Sequence, residues 1–242
     1  MPQSYLQSAE WYDRIYAGMA KDYAAEAAIV DGIVRARCPA AASLLDVGCG
    51  TGLHLEQFRD LYDVVAGIDL APAFVTRARS RARGAAVTVA DMRGFDLGRT
   101  FDAVTCLFSA VGHLADTDAL TSALRAMARH VAPGGVIVVE PWIPIGEHRD
   151  GQYGVEIAEA PGSTLVRANS ATRDGASTVV QFAWTEVSNS GITRLDETLR
   201  LTSFTEAQFG AAFAAAGMSA HFDPVGFNDG GRGLWVAVPL HR

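Results

Sequence analysis

Residues 45–52 read Leu-Asp-Val-Gly-Cys-Gly-Thr-Gly, a short apolar strand pattern that runs into three alternating glycines. A helical pattern begins directly afterwards at Leu53. Glycine is needed in such a turn because the backbone bends sharply and a ligand approaches it so closely that a Cβ atom would intrude. A strand, a glycine turn and a helix in this order predict the first unit of a Rossmann-like α/β sheet.

The sequence continues this unit in the alternating order of a parallel sheet. Short apolar runs predict strands that are covered on both faces, at 43–47, 64–68, 87–90, 103–107 and 136–140. Helical periods separate the runs, at 53–61, 72–83 and 117–130. The chain therefore carries the pattern of a doubly covered α/β core.

The flanking segments have a different character. Residues 8–36 predict one or two helices, and 204–217 predict a helix that is followed by a last strand at 233–239. Polar and apolar residues alternate over 153–202 around three turn signals, which predicts three or four antiparallel strands that cover a substrate. We therefore predict an N-terminal helical cap, a Rossmann-like core, an antiparallel β insert and a return to the core, over residues 1–36, 37–145, 146–203 and 204–242.

Three carboxylates, Asp46, Asp69 and Asp91, lie at the ends of the first three predicted strands, where open α/β sheets bind ligands. A dinucleotide fingerprint would read GxGxxG, but position 53 is Leu and Asp46 would repel a pyrophosphate. A cationic ligand without phosphates fits better, so we expect S-adenosylmethionine. Asp69 would accept hydrogen bonds from its ribose hydroxyls, and Asp91 with Met92 would contact its adenine. The alternative is that these acids only cap helices or end strands.

Composition argues against several classes of function. The 242 residues are 49% hydrophobic, and their net charge of -7 includes no cluster of Lys and Arg, so we expect no nucleic-acid partner. We also expect a cytoplasmic protein without membrane association, because no signal sequence and no apolar run of roughly 18 residues is present. The three cysteines are widely spaced and no acidic and imidazole cluster is visible, so no metal is expected.

Longer motifs carry a resemblance to a known family. The motifs DVGCGTG, GIDLAP, VTVADMRGFDL and HVAPGGVIVVEPW resemble class I S-adenosylmethionine methyltransferases. YDRIYAGMAKDYAAEA, FSAVGHL, VVEPW and GRGLWVAV narrow the resemblance to the N,N-dimethyltransferases that finish dTDP-linked 3-amino sugars, such as desosamine and mycaminose, in antibiotic biosynthesis. The resemblance extends over nearly the whole chain. It implies a nucleotide-linked amino sugar as substrate and makes a homodimer plausible.

The resemblance also assigns site residues. It implies that the cofactor is bound by the N-terminal helices and the ends of the first strands, through Tyr16, Lys21, Tyr23, Asp46, Gly48, Cys49, Gly50, Thr51, Gly52, Asp69, Leu70, Ala90, Asp91, Met92, Leu107 and Phe108. The substrate would be bound by Tyr12, Ser109, His113, Glu140, Trp142, Asn169 and Arg232, with the arginine paired to the diphosphate. His113 and Tyr16 are the candidate catalytic residues. His113 either accepts a proton from the amine or orients it, and we favour orientation.

Several alternatives stay open. This chain has Asn169 and Leu199 where the family pattern has histidines, and Ile143 where it has a second aromatic residue, so a 4-amino sugar or another deoxy pattern is also possible. Tyr12 and Tyr16 could be core residues, Arg232 a surface ion-pair partner and His113 a strand-end histidine; the other histidines are expected at the surface or at helix ends. The rival functions are an O-methyltransferase for a sugar or phenol, a non-catalytic cofactor-binding protein and a nucleotide-dependent oxidoreductase.

Overall fold

The computed structural model describes residues 8–19, 21–143, 150–227 and 231–240. Its main element is a seven-stranded sheet, and five of the strands are parallel: β1 (Ser43–Val47), β2 (Val64–Asp69), β3 (Ala86–Val89), β4 (Phe101–Cys106) and β5 (Val131–Val139). The order across the sheet is β5-β4-β1-β2-β3. The chain therefore leaves β1 in one direction and returns on its other side at β4, so the end of β1 is the switch point at which such sheets bind ligands.

Helices cover both faces of this sheet, which is why its strands are almost continuously apolar. One face packs on α2 (Tyr23–Arg35), α3 (Leu53–Phe58) and α4 (Pro72–Arg81), and the other face on α5 (Thr117–Arg129) and α6 (Glu206–Ala215). Aspartate side chains cap two of these helices, because Asp22 accepts the Ala25 N–H at 2.9 Å and Asp116 accepts the Ala119 N–H at 2.8 Å.

The insert forms a separate antiparallel sheet in the order β6 (Gln152–Ala160), β7 (Ser163–Asp174), β8 (Ser177–Ser188) and β9 (Gly191–Thr202). This confirms the predicted antiparallel strands. The first helix, α1 (Ala9–Gly18), packs on the insert through a cluster that includes Trp11, Ile15 and Trp184. The segment predicted as one helical cap is thus divided, because α1 lies on the insert while α2 lies on the main sheet.

The last two strands of the main sheet are β10 (Met218–Asp223) and β11 (Leu234–Pro239), and both pair antiparallel to their neighbours. The sequence pattern did not predict β10, because it is an edge strand in which only Met218 is buried. It also placed the start of β5 too late. Val131 already pairs with Phe101, ahead of a register shift that the apolar pattern does not reveal.

Two histidines expected at the surface or at helix ends do lie at helix ends, but both are buried. His54 is in the first turn of α3 and His130 follows α5. His148 and His241, for which we made the same prediction, lie outside the described residues. Within the part of the chain that the structure describes, no helix is long and apolar enough to cross a membrane.

Candidate active site

The glycine turn after β1 has a backbone that side chains would block. Gly48, Gly50 and Gly52 all have positive φ angles, of 74°, 55° and 85°. A Cβ atom on Gly48 would lie 2.6 Å from Cβ of Ala110, whereas one on Gly50 would meet no atom within 4 Å. The turn is therefore packed against the protein at its first glycine and faces open space at its second, where a ligand could approach the backbone.

The acid at the end of β2 is joined to this turn. The Asp69 carboxylate accepts the Gly50 N–H through Oδ2 at 2.9 Å and the Ala71 N–H through Oδ1 at 2.8 Å. Burial nevertheless raises its pKa above the ordinary range. The carboxylate thus fixes the position of the open glycine and lies beside the space that the glycine faces.

The other two acids differ in environment. Asp46 is buried and accepts a hydrogen bond from Thr105 Oγ1 at 2.8 Å, and burial raises its pKa to about 6. Asp91 follows β3 and is bound by the Arg93 guanidinium, with Nη2 at 2.5 Å from Oδ2, which lowers the pKa of Asp91. Asp91 is therefore charged at neutral pH and partly open to solvent, whereas Asp46 is a buried acid near the end of β1.

Three residues predicted to bind the cofactor have side chains turned into the protein. Leu107 belongs to the core, and Cys49 is buried with a pKa raised by burial. Thr51 is buried and donates a hydrogen bond through Oγ1 to Asp13 Oδ1 at 2.5 Å. Leu70, after Asp69, is instead largely exposed.

Beyond β4 the backbone is strained at two residues that are not glycine. Phe108 and Ser109 have φ angles of 51° and 60°, in the left-handed region that side chains disfavour. Glu140 holds the turn by accepting the Phe108 N–H at 2.6 Å, and Ser109 Oγ donates to the Pro141 carbonyl at 2.8 Å. Arg232 Nη1 donates to Ser109 Oγ at 2.8 Å and to Glu140 Oε1 at 2.7 Å. Strained backbone held by several partners is common at functional sites.

The Phe108 ring is where the N-terminal helices meet the core. The Lys21 ammonium lies 4.4 Å from the ring centroid and forms an ion pair with Glu26. The Tyr16 ring meets the Phe108 ring edge-on, with centroids 4.9 Å apart. Tyr23 lies close by, 5.0 Å from the Lys21 ammonium, and its buried hydroxyl has no hydrogen-bond partner among the described residues. An unpaired buried hydroxyl at this position is suited to a polar group of a bound ligand.

A cavity of 1210 Å³ opens next to this ring, between α1, the ends of β4 and β5, and the inner face of the insert. The structure brings all the predicted substrate residues to its wall: Tyr12, Ser109, His113, Glu140, Trp142, Asn169 and Arg232. Tyr16, Lys21 and Phe108 line it as well. The other predicted cofactor residues lie outside this wall; most of them follow the ends of β1, β2 and β3.

His113 ends a short 3₁₀ helix, Ala110–His113, that follows the strained turn. Its exposed side chain lines the cavity. The surrounding protein nevertheless disfavours the charged imidazolium, which lowers the pKa of His113 from 6.5 to about 4. His113 is therefore neutral at physiological pH.

Sequence reasoning missed part of the cavity wall. Arg167, Glu156, Phe182 and Trp184 all line the cavity from the inner face of the insert. The sequence holds one signal for Arg167, since alternation in β7 places it on the same face as the buried Leu165. Among the described residues, no group of His, Cys, Asp and Glu side chains could hold a metal ion.

A glycine turn at the switch point, acids at the ends of the neighbouring strands and a large cavity at the end of β4 are the arrangement of a class I S-adenosylmethionine-dependent methyltransferase. The profile of a methyltransferase domain matches residues 44–135. A dTDP-3-amino-3,6-dideoxy-alpha-D-glucopyranose N,N-dimethyltransferase from Streptomyces fradiae is 43% identical, over 96% of this chain and 90% of its own length. A dTDP-4-amino-2,3,4,6-tetradeoxy-D-glucose N,N-dimethyltransferase from Saccharopolyspora spinosa is 39% identical, over 95% and 92%.

A solved structure agrees with these relatives. It is CalS10 with S-adenosylmethionine bound, an amino pentose methyltransferase from Micromonospora echinaspora, with a TM-score of 0.86 and 43% identity over 95% of this chain and 96% of that one. The chain belongs to the family of dTDP-amino-sugar N,N-dimethyltransferases, and it is an enzyme that uses S-adenosylmethionine.

Proposed function

We propose that this enzyme methylates the amino group of a dTDP-linked amino-deoxysugar twice, in the formation of an antibiotic sugar. The observation that carries the proposal is the cavity beside Phe108, because the substrate residues expected from the family motifs all line it. The relatives act on both 3-amino and 4-amino sugars by name. Experiment therefore has to decide whether the substrate of this enzyme is a 3-amino or a 4-amino sugar.

The residues suit a cofactor of this kind. The open space in front of Gly50 and the Asp69 carboxylate beside it suit the ribose hydroxyls of such a cofactor better than a phosphate, which the carboxylate would repel. The unpaired Tyr23 hydroxyl, next to Lys21, is a further polar group for the ligand. S-adenosylmethionine supplies an activated methyl group when it is bound there. The protein then has to present the amine as a free base and exclude water, which is the main requirement of an in-line displacement.

His113 fits the orienting role better than the role of a base. An alkyl amine with a pKa of roughly 10 holds its proton about a million times more tightly than an imidazole with a pKa of about 4. Neutral His113 can still accept a hydrogen bond from an amine N–H and so direct the lone pair of the nitrogen. We therefore propose that the amine enters in its unprotonated form and that His113 holds it in place.

The test is mass spectrometry of dTDP-3-amino and dTDP-4-amino sugars incubated with the enzyme and S-adenosylmethionine. We expect successive gains of one and two methyl groups with one of these sugars. A dTDP-sugar that carries a hydroxyl in place of the amine is the control for an O-methyltransferase and is expected to stay unmodified. Methylation of that control alone, or of no sugar, would contradict the proposal.

The role of His113 is tested by the pH dependence of kcat/KM in the parent enzyme and in a His113→Ala variant. Because only the unprotonated amine reacts, kcat/KM should rise about tenfold per pH unit up to the pKa of the amine. Both proteins should give this slope, with the variant lower by a constant factor. A parent whose kcat/KM is flat across this range, with the slope appearing only in the variant, would show that His113 accepts the proton.

A further inference from the structure

Arg167 is a buried cation in the wall of the cavity to which the family resemblance assigned no role. It lies on the inner face of β7 and is only 4% exposed. Three aromatic rings surround its guanidinium, with their centroids 5.0 Å (Tyr16), 5.1 Å (Phe182) and 5.4 Å (Trp184) from the central carbon. Such a group is costly to bury unless it is paired and hydrogen-bonded.

The pairing is provided by the insert and the first helix together. Arg167 Nε donates to Glu156 Oε2 at 3.1 Å, across the β6 and β7 pair, and Nη1 donates to the Tyr16 hydroxyl oxygen at 3.2 Å. Asn169 Nδ2 also donates to Glu156, at 3.1 Å and 3.2 Å from its two oxygens. A continuous series of hydrogen bonds therefore runs from Asn169 to Tyr16, and Arg167 is the group that crosses from the insert to α1.

We propose that Arg167 is a positioning residue that orients the Tyr16 hydroxyl in the cavity. Because the hydroxyl oxygen accepts from the guanidinium, its own proton cannot point toward Arg167 and must be directed elsewhere. One lone pair of that oxygen remains to accept an N–H from an amine. Tyr16 itself lies against Phe108 at the strained turn, so the arginine sets the geometry of the group that borders the reacting centre. The inference rests on the proposed function and takes the amine of the sugar to lie against Tyr16, the second candidate catalytic residue.

The arrangement also gives Asn169 a role different from direct substrate contact. Its amide nitrogen is held by Glu156, the carboxylate that anchors Arg167. This is one of the positions at which the chain departs from the histidine of the family pattern. We therefore expect a change of Asn169 to act at least partly through Glu156 on the placement of Arg167 and Tyr16.

The test is a double-mutant cycle with Arg167→Lys, Tyr16→Phe and the combined variant. Lysine keeps the charge between the rings but lacks the planar fork that reaches both Glu156 and Tyr16. We expect each single variant to lower kcat about tenfold, the loss that goes with one hydrogen bond. The combined variant should be no worse than Tyr16→Phe alone, because the arginine acts through the tyrosine. Arg173→Lys, the same change at an exposed position of β7, is the matched control and should have no effect.

Losses that multiply in the combined variant, or a Tyr16→Phe variant as active as the parent, would overturn the inference. A second measurement does not depend on activity. In protein labelled at tyrosine Cζ, the Tyr16 resonance, identified by its absence in Tyr16→Phe, should shift in Arg167→Lys and not in Arg173→Lys. An unmoved resonance overturns the inference. A parent enzyme that methylates no sugar but shows this shift refutes the proposed function and leaves the contact supported.

Discussion

The Asp46 carboxyl group should make the enzyme less stable as the pH rises from about 4 to about 6. In the unfolded chain this group has a pKa of 3.8, whereas burial raises the pKa to about 6 in the folded protein. Across that interval the folded state keeps a proton that the unfolded state has lost, so stability falls with increasing pH. At about 1.4 kcal/mol per pKa unit, the cost at neutral pH approaches about 3 kcal/mol.

Replacing Asp46 with Asn should recover most of this free energy. The amide carries no charge to desolvate, and its oxygen can still accept the hydrogen bond from Thr105 Oγ1. We expect Asp46→Asn to raise the free energy of unfolding by about 1 to 3 kcal/mol at neutral pH and by much less near pH 4. The variant should also bind S-adenosylhomocysteine more weakly, because a site that gains stability by losing a buried charge often loses function.

Urea unfolding at several pH values, followed by circular dichroism, measures the difference in free energy between variant and parent. Acids with lowered pKa values, such as Glu26 and Asp91, contribute the opposite slope, but they are present in both proteins and cancel in the difference. Asp63→Asn, a change at an exposed position just before β2, is the control and should show no such trend. A difference that stays constant with pH, or an Asp46→Asn variant that is less stable at neutral pH, would refute the reasoning.

Three further predictions concern the cofactor site, the first helix and the homodimer. In Asp69→Asn, one of the two backbone N–H groups that the carboxylate accepts would face an amide donor. Calorimetry should therefore find the affinity for S-adenosylhomocysteine reduced about tenfold or more, whereas the control Asp63→Asn should bind it normally. Asp13→Asn weakens the link from α1 to Thr51 and Arg81, so the KM for S-adenosylmethionine should rise with little change in kcat; an unchanged KM would contradict this. The homodimer stays a prediction. If the exposed apolar side chains of β6 form its interface, the double variant Val155→Lys, Ile157→Lys should sediment as a monomer under conditions in which the parent is a dimer.

The main sheet was predictable because its local signals agree with one another. β1 lies where the apolar run placed it, at Ser43–Val47, and the acids follow neighbouring strands as parallel topology requires. The strands of the insert were predictable from alternation and turns. The strained turn at Phe108 and Ser109 was not, because its left-handed backbone is imposed by Glu140 and Arg232, which are distant in sequence. Such tertiary constraint has no local pattern.

The pairing of the charged residues in the cavity is a second feature that could not be predicted from the sequence. Each of three cations in its wall has its own carboxylate, in the pairs Lys21–Glu26, Arg167–Glu156 and Arg232–Glu140. The sequence suggested Lys21 and Arg232 as ligand-binding groups, but it could not show that they are already paired, because pairing depends on strand register and on contacts between distant segments. The consequence is chemical. Arg232 already commits the two N–H groups of Nη1 to Glu140 and Ser109. If Arg232 binds the diphosphate as the family motifs imply, it does so through Nη2 and Nε of a guanidinium whose charge is largely balanced. The cavity is therefore suited to orienting a nucleotide sugar by directed hydrogen bonds more than to attracting it by net positive charge.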